Sequence, residues 1–207
     1  MVKVNLGCGP SGVEGWVNYD WGMLPVVNKL PRLRDWLVSV GLLPVNYRAV
    51  WPKYQLVDIR KRLPLGDRSV EWVYCSHVLE HLEYWQAIGV LREVNRVLKK
   101  GGRVRVVLPD LAKMLEKYQT DGDADVFNRD FFGFEKDKKT SLVGTILRRF
   151  IRPHQWIYDK KTAENLLKSA GFEKVEFSEY RKSKMPDVDR LDVNEHKTLS
   201  VYLEAEV

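Results

Sequence analysis

Residues able to do chemistry cluster in two stretches, Leu6-Gly7-Cys8-Gly9-Pro10-Ser11-Gly12 and Ser76-His77-Val78-Leu79-Glu80-His81. Gly7 and Gly9 lack a Cβ, so the backbone there can turn sharply and let a flat ligand lie against it. Asp20 follows soon after, an acid able to accept hydrogen bonds from ribose hydroxyls. His77, Asp110 and His154 are groups that could take or direct a proton. His77-x-x-Glu80-His81 also matches the inverted zinc-protease motif, in which two histidines on one helical face bind metal.

The elements that must hold these groups decide between their readings. Val2, Val4 and Leu6 predict a short buried strand running into the glycine turn, the way open parallel α/β sheets build a nucleotide site at their carboxyl edge. Gly7, Gly9 and Gly12 satisfy the dinucleotide fingerprint, a weak signal alone. That fingerprint needs a helix to follow at once, and Pro10-Ser11-Gly12-Val13-Glu14-Gly15 starts one badly. Trp16 to Asp20 instead predicts a second strand ending in an acid, so a nucleoside without a diphosphate fits better. The zinc motif belongs within a long helix, whereas here it begins where the buried strand Val70 to Cys75 stops. No metal is therefore expected, and a metal-dependent hydrolase using His77 and His81 stays a minor alternative: no third ligand is evident near them, His154 being the one histidine left open.

Taken together, Leu6-Gly7-Cys8-Gly9-Pro10, Asp20, Asp58-Ile59, Ser76 to His81 and Val97-Leu98-Lys99-Lys100-Gly101-Gly102 resemble the class I S-adenosylmethionine-dependent methyltransferases. Within them the chain is most similar to small methyltransferases associated with cell-surface polysaccharide synthesis. One departure stands out: the helix that usually separates the glycine loop from the ribose acid is nearly absent. The resemblance implies an α/β, Rossmann-like, mostly parallel seven-stranded sheet with helices on both faces and an antiparallel strand near the C-terminus. It implies S-adenosylmethionine as cofactor, held by Leu6, Gly7, Cys8, Gly9, Asp20, Asp58, Ile59, Ser76 and His77. Asp58 would meet the adenine amino group, Ile59 would pack on the ring, and Ser76 and His77 would lie beside the methionine half. The segment Pro153-His154-Gln155-Trp156 resembles the late His-x-Trp stretch of the same small enzymes.

The remaining sequence sets the frame. The 207 residues suit a single domain, residues 1–207, with a full core. Residues 21–52 form an insertion in which Leu33, Trp36, Leu37 and Val40 make a helical stripe, packed on the sheet or acting as a lid. A helix from Glu83 to Leu98 is ended by Gly101-Gly102, and strands follow at Tyr54 to Ile59 and Arg103 to Leu108. Within 119–153, Gln119 to Lys139 reads as a polar loop and Leu142 to Ile151 as a basic amphipathic helix suited to an anionic lipid surface. Asp121, Asp123 and Asp125 open like a calcium loop, but Val126 stands where its glycine is due. Asp159 caps a helix, and Val175 to Tyr180 with Thr198 to Ala205 form a closing hairpin of edge strands around a charged loop carrying an exposed His196.

A net charge of +6 permits anionic partners without choosing one. Ser76-His77-Val78-Leu79 is unlike the motif of enzymes that methylate base amines, which argues against nucleic acid as acceptor. Cys8 and Cys75 look like small buried residues, and no apolar leader precedes the first strand, so a cytoplasmic protein, at most peripheral to the membrane, is expected. The expected reaction is methyl transfer to a small-molecule or glycan-type acceptor at oxygen, with His77 or His154 as base and Asp110 orienting the acceptor. A catalytically silent cofactor-binding module at the membrane is the alternative.

Overall fold

The computed structural model describes residues 1–43, 48, 51–132 and 153–207. Strand β1 (Lys3–Leu6) buries Val4, Asn5 and Leu6 in succession, so both of its faces are covered, as a central parallel strand requires. Val2 is exposed, contrary to expectation, because it precedes the strand and serves through its N–H, which donates to Glu71. Strands β2 (Val17–Asp20) and β3 (Gln55–Leu56) extend the sheet in parallel on one side of β1. Strands β4 (Val70–Ser76) and β5 (Leu98–Pro109) extend it in parallel on the other. Edge strand β6 (Lys174–Ser178) pairs antiparallel with β7 (Ser200–Glu206), which pairs antiparallel with β5.

Among the described residues these seven strands form one sheet in the order β3-β2-β1-β4-β5-β7-β6. The expected Rossmann-like fold is present. Because the chain leaves β1 to one side and returns to the other at β4, their carboxyl ends form a topological switch point, where open sheets of this kind bind ligands. Helix α1 (Met23–Asn28) and helix α2 (Pro31–Ser39) follow β2. One face of the sheet is covered by α3 (Tyr84–Val97) through Ala87, Val90, Leu91 and Val94. After β5 come α4 (Leu111–Asp121) and α5 (Ala124–Phe132), and then α6 (Lys160–Ser169), which adds Ala163, Leu166 and Leu167 to the same core. Asp159 caps α6 as expected, accepting from Thr162 N at 2.7 Å.

The opposite face has no long helix after the glycine turn, only a 3-10 turn at Gly9–Ser11. Val13 and Trp16 fill that place, packing with Tyr74, Val107, Met185, Tyr202 and with Leu191 of the short α7 (Val188–Leu191). Buried Asn18 ties this segment down: its Oδ1 accepts from Val13 N at 3.2 Å and its Nδ2 donates to Val13 O at 3.0 Å and Trp16 O at 3.2 Å.

Several local expectations are corrected. The third strand is confined to Gln55–Leu56, since Asp58 turns back to bond Arg60. Helix α3 stops at Val97 and not at the glycine pair, because buried Leu98 is already extended and pairs with Val70 at the start of β5. In α2 the buried residues are Leu37 and Val38, which pack with Leu43, Leu24 and Val27. Leu33, Trp36 and Val40 are exposed, so the insertion packs on itself and not on the sheet through the expected stripe.

The stretch read as a polar loop contains α5, started by Asp123, whose Oδ1 accepts from Asp125 N and Val126 N at 2.9 and 3.1 Å. Phe127 is the reason the helix forms here, lying 5.3 Å from Tyr118 and 5.5 Å from Phe131 between ring centroids. Strand β7 lies inside the sheet and not at its edge. The basic stripe from Leu142 to Ile151 falls outside the described residues. Among the described residues no helix is long and apolar enough to cross a membrane.

Candidate active site

The glycine turn sits at the switch point and is braced from below. Gly7 N and Cys8 N both donate to Tyr19 O, at 2.8 and 3.1 Å, which locks the turn to the end of β2. Gly7 adopts φ +65°, and a Cβ there would lie 2.2 Å from Val78 Cγ2. Its missing side chain therefore makes room for the segment after β4. Gly9, at φ +50°, has nothing within 4 Å of where a Cβ would project. That open space above the turn is where a flat ligand can approach the backbone.

Asp20, half-buried at the end of β2, closes the turn. Its Oδ2 accepts from Gly9 N at 2.7 Å and its Oδ1 from Trp21 N at 2.7 Å. Burial raises its carboxyl above the usual value, and those two bonds partly offset the effect. Each oxygen keeps a lone pair for a ribose hydroxyl. Burial and the Asp20 charge push the Cys8 thiol up to about 12, which leaves it a neutral packing group beside Trp51 and Tyr54.

Asp58 stands one residue past the Val57 N–H that donates to Asp20 O, so the two acids occupy neighbouring strand ends. Its carboxylate is held by Arg60, Nε to Oδ1 and NH2 to Oδ2 both at 2.8 Å, and this pairing lowers it below the usual carboxylate range. Ile59 is buried beside it.

At the end of β4, His77 has the left-handed value φ +52°, a backbone conformation that costs a non-glycine residue about 1–3 kcal/mol. Its N–H donates to Val107 O at 3.0 Å, and both ring nitrogens have neighbours. Nε2 lies 2.8 Å from Ser200 Oγ and Nδ1 lies 3.2 Å from Glu80 Oε1. His196, expected exposed, stacks on His77 with centroids 3.6 Å apart, and its Nδ1 lies 3.2 Å from Ser76 Oγ. The α7 loop folds back over β4 and β7, which is why this histidine is half-buried; burial and His77 depress its pKa to about 4.

The next turn of chain, a 3-10 turn at Leu79–His81, brings in His81 and also Glu80, which the sequence reading named only as a motif letter. Glu80 is fully buried, and its main-chain oxygen accepts from Gln155 N and Trp156 N at 2.6 and 3.2 Å. Burial works to raise its carboxyl, but contact with His77 and the charges of His77, His81 and His154 more than offset this and hold it low. His154 Nδ1 lies 2.8 Å from Phe131 O and so carries the proton, leaving Nε2 as a lone-pair site. Burial lowers the His154 pKa, partly opposed by Glu80, so the ring is neutral near pH 7. The rings of His81 and His154 are 4.9 Å apart.

Asp110 is also buried, and its Oδ1 caps α4 by accepting from Ala112 N at 3.1 Å. The fold thus brings His77, Glu80, His81 and His154 to one corner, joined to the glycine turn through Val78.

Residues 35–106 match the family model described as a methyltransferase domain. A methyltransferase structure from Thermotoga maritima superposes with TM-score 0.51 and 16% identity, over 99% of this chain and 81% of that one. One from Methanosarcina mazei gives TM-score 0.52 and 14% identity, over 98% and 90% respectively. A structure described as PigF with SAH gives 0.50 and 13%, covering 100% of this chain and 50% of that one. No curated protein matches. A glycine turn at the switch point, an acid bracing it from β2 and a second acid at the next strand end stand together at the carboxyl edge of the sheet. Residues 35–106 thus carry the match to a methyltransferase domain, and the whole chain has the fold of the S-adenosylmethionine-dependent methyltransferase structures on which it superposes.

Proposed function

We propose that the chain methylates a hydroxyl oxygen of a small-molecule or glycan-type acceptor. S-adenosylmethionine supplies, when bound, a methyl group on a sulfonium, a donor that is already reactive. Leu6, Gly7, Cys8 and Gly9 offer backbone to it, Asp20 accepts from ribose hydroxyls, and Asp58 and Ile59 take the adenine edge and face. Ser76 and His77 line the tail. The chain's remaining task is to align an acceptor oxygen about 3 Å from the methyl carbon and to remove its proton.

His154 is the better base of the two histidines. Its Nε2 lone pair is set by the Nδ1 bond to Phe131 O, whereas both ring nitrogens of His77 already face Ser200 and Glu80. This single observation carries the choice of oxygen: a neutral, desolvated imidazole serves a hydroxyl, which must lose a proton, more than a neutral amine, which brings its own lone pair. Asp110, as a helix cap, orients the start of α4 and acts on the acceptor through it. The fifth-strand arginines are spent inside the fold, Arg105 on Asp192 and Glu204 and Arg103 on Glu206, which argues against a phosphate backbone as partner.

Free, buried Cys8 and Cys75 support a reducing, cytoplasmic compartment. Contact with an anionic membrane rests on the basic stretch 138–152. A labelled-methyl screen against nucleotide sugars and lipid-linked glycans tests the proposal. Turnover on a hydroxyl acceptor, lost when His77 and His154 are both replaced, is the expected result. Turnover that survives both replacements refutes the base assignment, and cofactor binding without turnover favours a silent module.

A further inference from the structure

We infer that Glu80, His81 and His154 form a binding site for one divalent transition-metal ion, zinc being the natural candidate. The three side chains each present one ligand atom, and these atoms all lie within 4.8 Å of one another. Ligand atoms around a tetrahedral zinc are separated by about 3.3 Å, so modest side-chain rotations close the set. Two nitrogens and one carboxylate oxygen are a donor set that zinc and cobalt both accept.

The second observation is Glu80 itself. Its side chain has 0% exposure, and neither carboxylate oxygen has a hydrogen-bond partner among the described residues. His77 Nδ1 stands 3.2 Å from Oε1 but is not aligned as a hydrogen-bond donor. A desolvated carboxylate without aligned donors is costly unless a cation completes it.

The third is the support around His154. Its Nδ1 lies on Phe131 O at 2.8 Å, the pattern that fixes a metal-binding imidazole in the correct tautomer with Nε2 outward. Backbone bonds from Gln155 N and Trp156 N to Glu80 O hold the two halves of the site together without any ion. This pairing differs from the one the sequence motif suggests: His77, the motif's first histidine, spends its Nε2 on Ser200 and its Nδ1 beside Glu80, and His154 supplies the second imidazole from a distant segment. Three protein ligands leave a coordination position open, as catalytic zinc sites do. The site lies in the corner proposed to ionise the acceptor and rests on that reading only for its role, not for its existence.

The test uses the full chain, stripped with a chelator and titrated with cobalt(II). The expected result is one equivalent of cobalt with the visible d–d absorption of a low-coordinate site, displaced by zinc. His154→Gln and His81→Gln, verified as folded by thermal melting, weaken binding by about 10–100-fold or more, since loss of an outer-sphere partner alone costs that much. A cobalt titration with no absorption change, or one unaffected by both replacements, overturns the site. Because Glu80→Gln alters a buried group, it is read for stability in metal-free protein: a rise in melting temperature is expected, since the substitution removes an uncompensated buried charge, and a fall marks a carboxylate already satisfied by other donors and refutes the need for an ion. Calorimetry of S-adenosylmethionine on the same variants reports the cofactor site separately, so failure of one reading is told from failure of the other.

Discussion

Replacing Gly9 and Gly7 one at a time by alanine separates the cofactor cradle from the fold that supports it. Both glycines are left-handed, at φ +50° and +65°, so each alanine costs about 1–2 kcal/mol in backbone conformation. They differ in surroundings. At Gly7 the new methyl would sit 2.2 Å from Val78 Cγ2 and 3.2 Å from Cγ1, which adds an overpacking cost of about 1–3 kcal/mol. At Gly9 it meets nothing within 4 Å and stands in the space proposed for the ligand.

For a domain of this size, 1 kcal/mol moves the melting temperature by roughly 2–4 °C. Gly9→Ala should therefore melt roughly 2–8 °C lower, and Gly7→Ala lower again by a further 2–12 °C or so. Affinity reverses the contrast. An obstructed contact of about 1–3 kcal/mol raises the S-adenosylmethionine Kd of Gly9→Ala by roughly 5–150-fold. Calorimetric titration and a thermal melt on the same samples give both numbers. A Gly9→Ala protein that binds the cofactor like the parent would refute the placement of the ligand over this turn, and equal stabilities for the two variants would refute the Val78 contact.

Arg105→Ala should lower the melting temperature by roughly 6–20 °C, because Asp192 and Glu204 lose their buried cation at a cost of about 3–5 kcal/mol; a change under 2 °C or so on thermal melting would refute this. The pH profile of stability should fall as pH drops from 6.5 to about 4, since the unfolded chain protonates His196 while the folded one resists it down to about 4. The loss approaches about 3 kcal/mol at the acid end, and denaturant melts of His196→Asn should show a shallower decline there. The helical insertion, whose buried set is Leu37, Val38 and Leu43, should exchange its amides well before β4 and β5 do, as a lid must; equal protection by hydrogen exchange would contradict a moving role.

Much of this was legible in the residue order, and the reasons for the rest are local. The glycine turn, Asp20 and the first strands could be read because glycine, acid and apolar runs act within a few residues of one another, whereas the sheet they build was implied only by the family resemblance. The missing first helix could be read too, from Pro10 and two glycines. His196 could not: its burial depends on the α7 loop returning across the sheet, a contact made 120 positions away from Ser76 in the chain. Asp192 was hidden for the same reason, since a charged loop residue gives no sign that it will meet Arg105 inside, and Glu204, on β7, reads as the solvent-facing charge of an alternating strand. The helix at Ala124–Phe132 was missed because aspartates at its start mimic a loop, while the ring contacts of Phe127 that stabilise it lie on α4 and one turn ahead. Glu80 stood in plain view as a motif letter, but only the three-dimensional neighbourhood shows that His154, from a distant segment, completes a ligand set with Glu80 and His81.

His154 cannot serve as base and as metal ligand at once, because both roles draw on the single Nε2 lone pair left by the Nδ1 bond to Phe131 O. The two states of the site therefore predict opposite responses to metal. If the imidazole itself takes the acceptor proton, chelator-stripped protein turns over and saturating zinc suppresses it, with half-suppression at the zinc Kd measured by cobalt displacement. That is the result expected here, since burial keeps the ring neutral and ready to accept near pH 7. Turnover that rises on loading would show instead that the bound ion ionises the hydroxyl, an action worth several kcal/mol in other metal sites. The base would then no longer be His154, the metal site would stand, and the open coordination position would become the place where the acceptor oxygen binds.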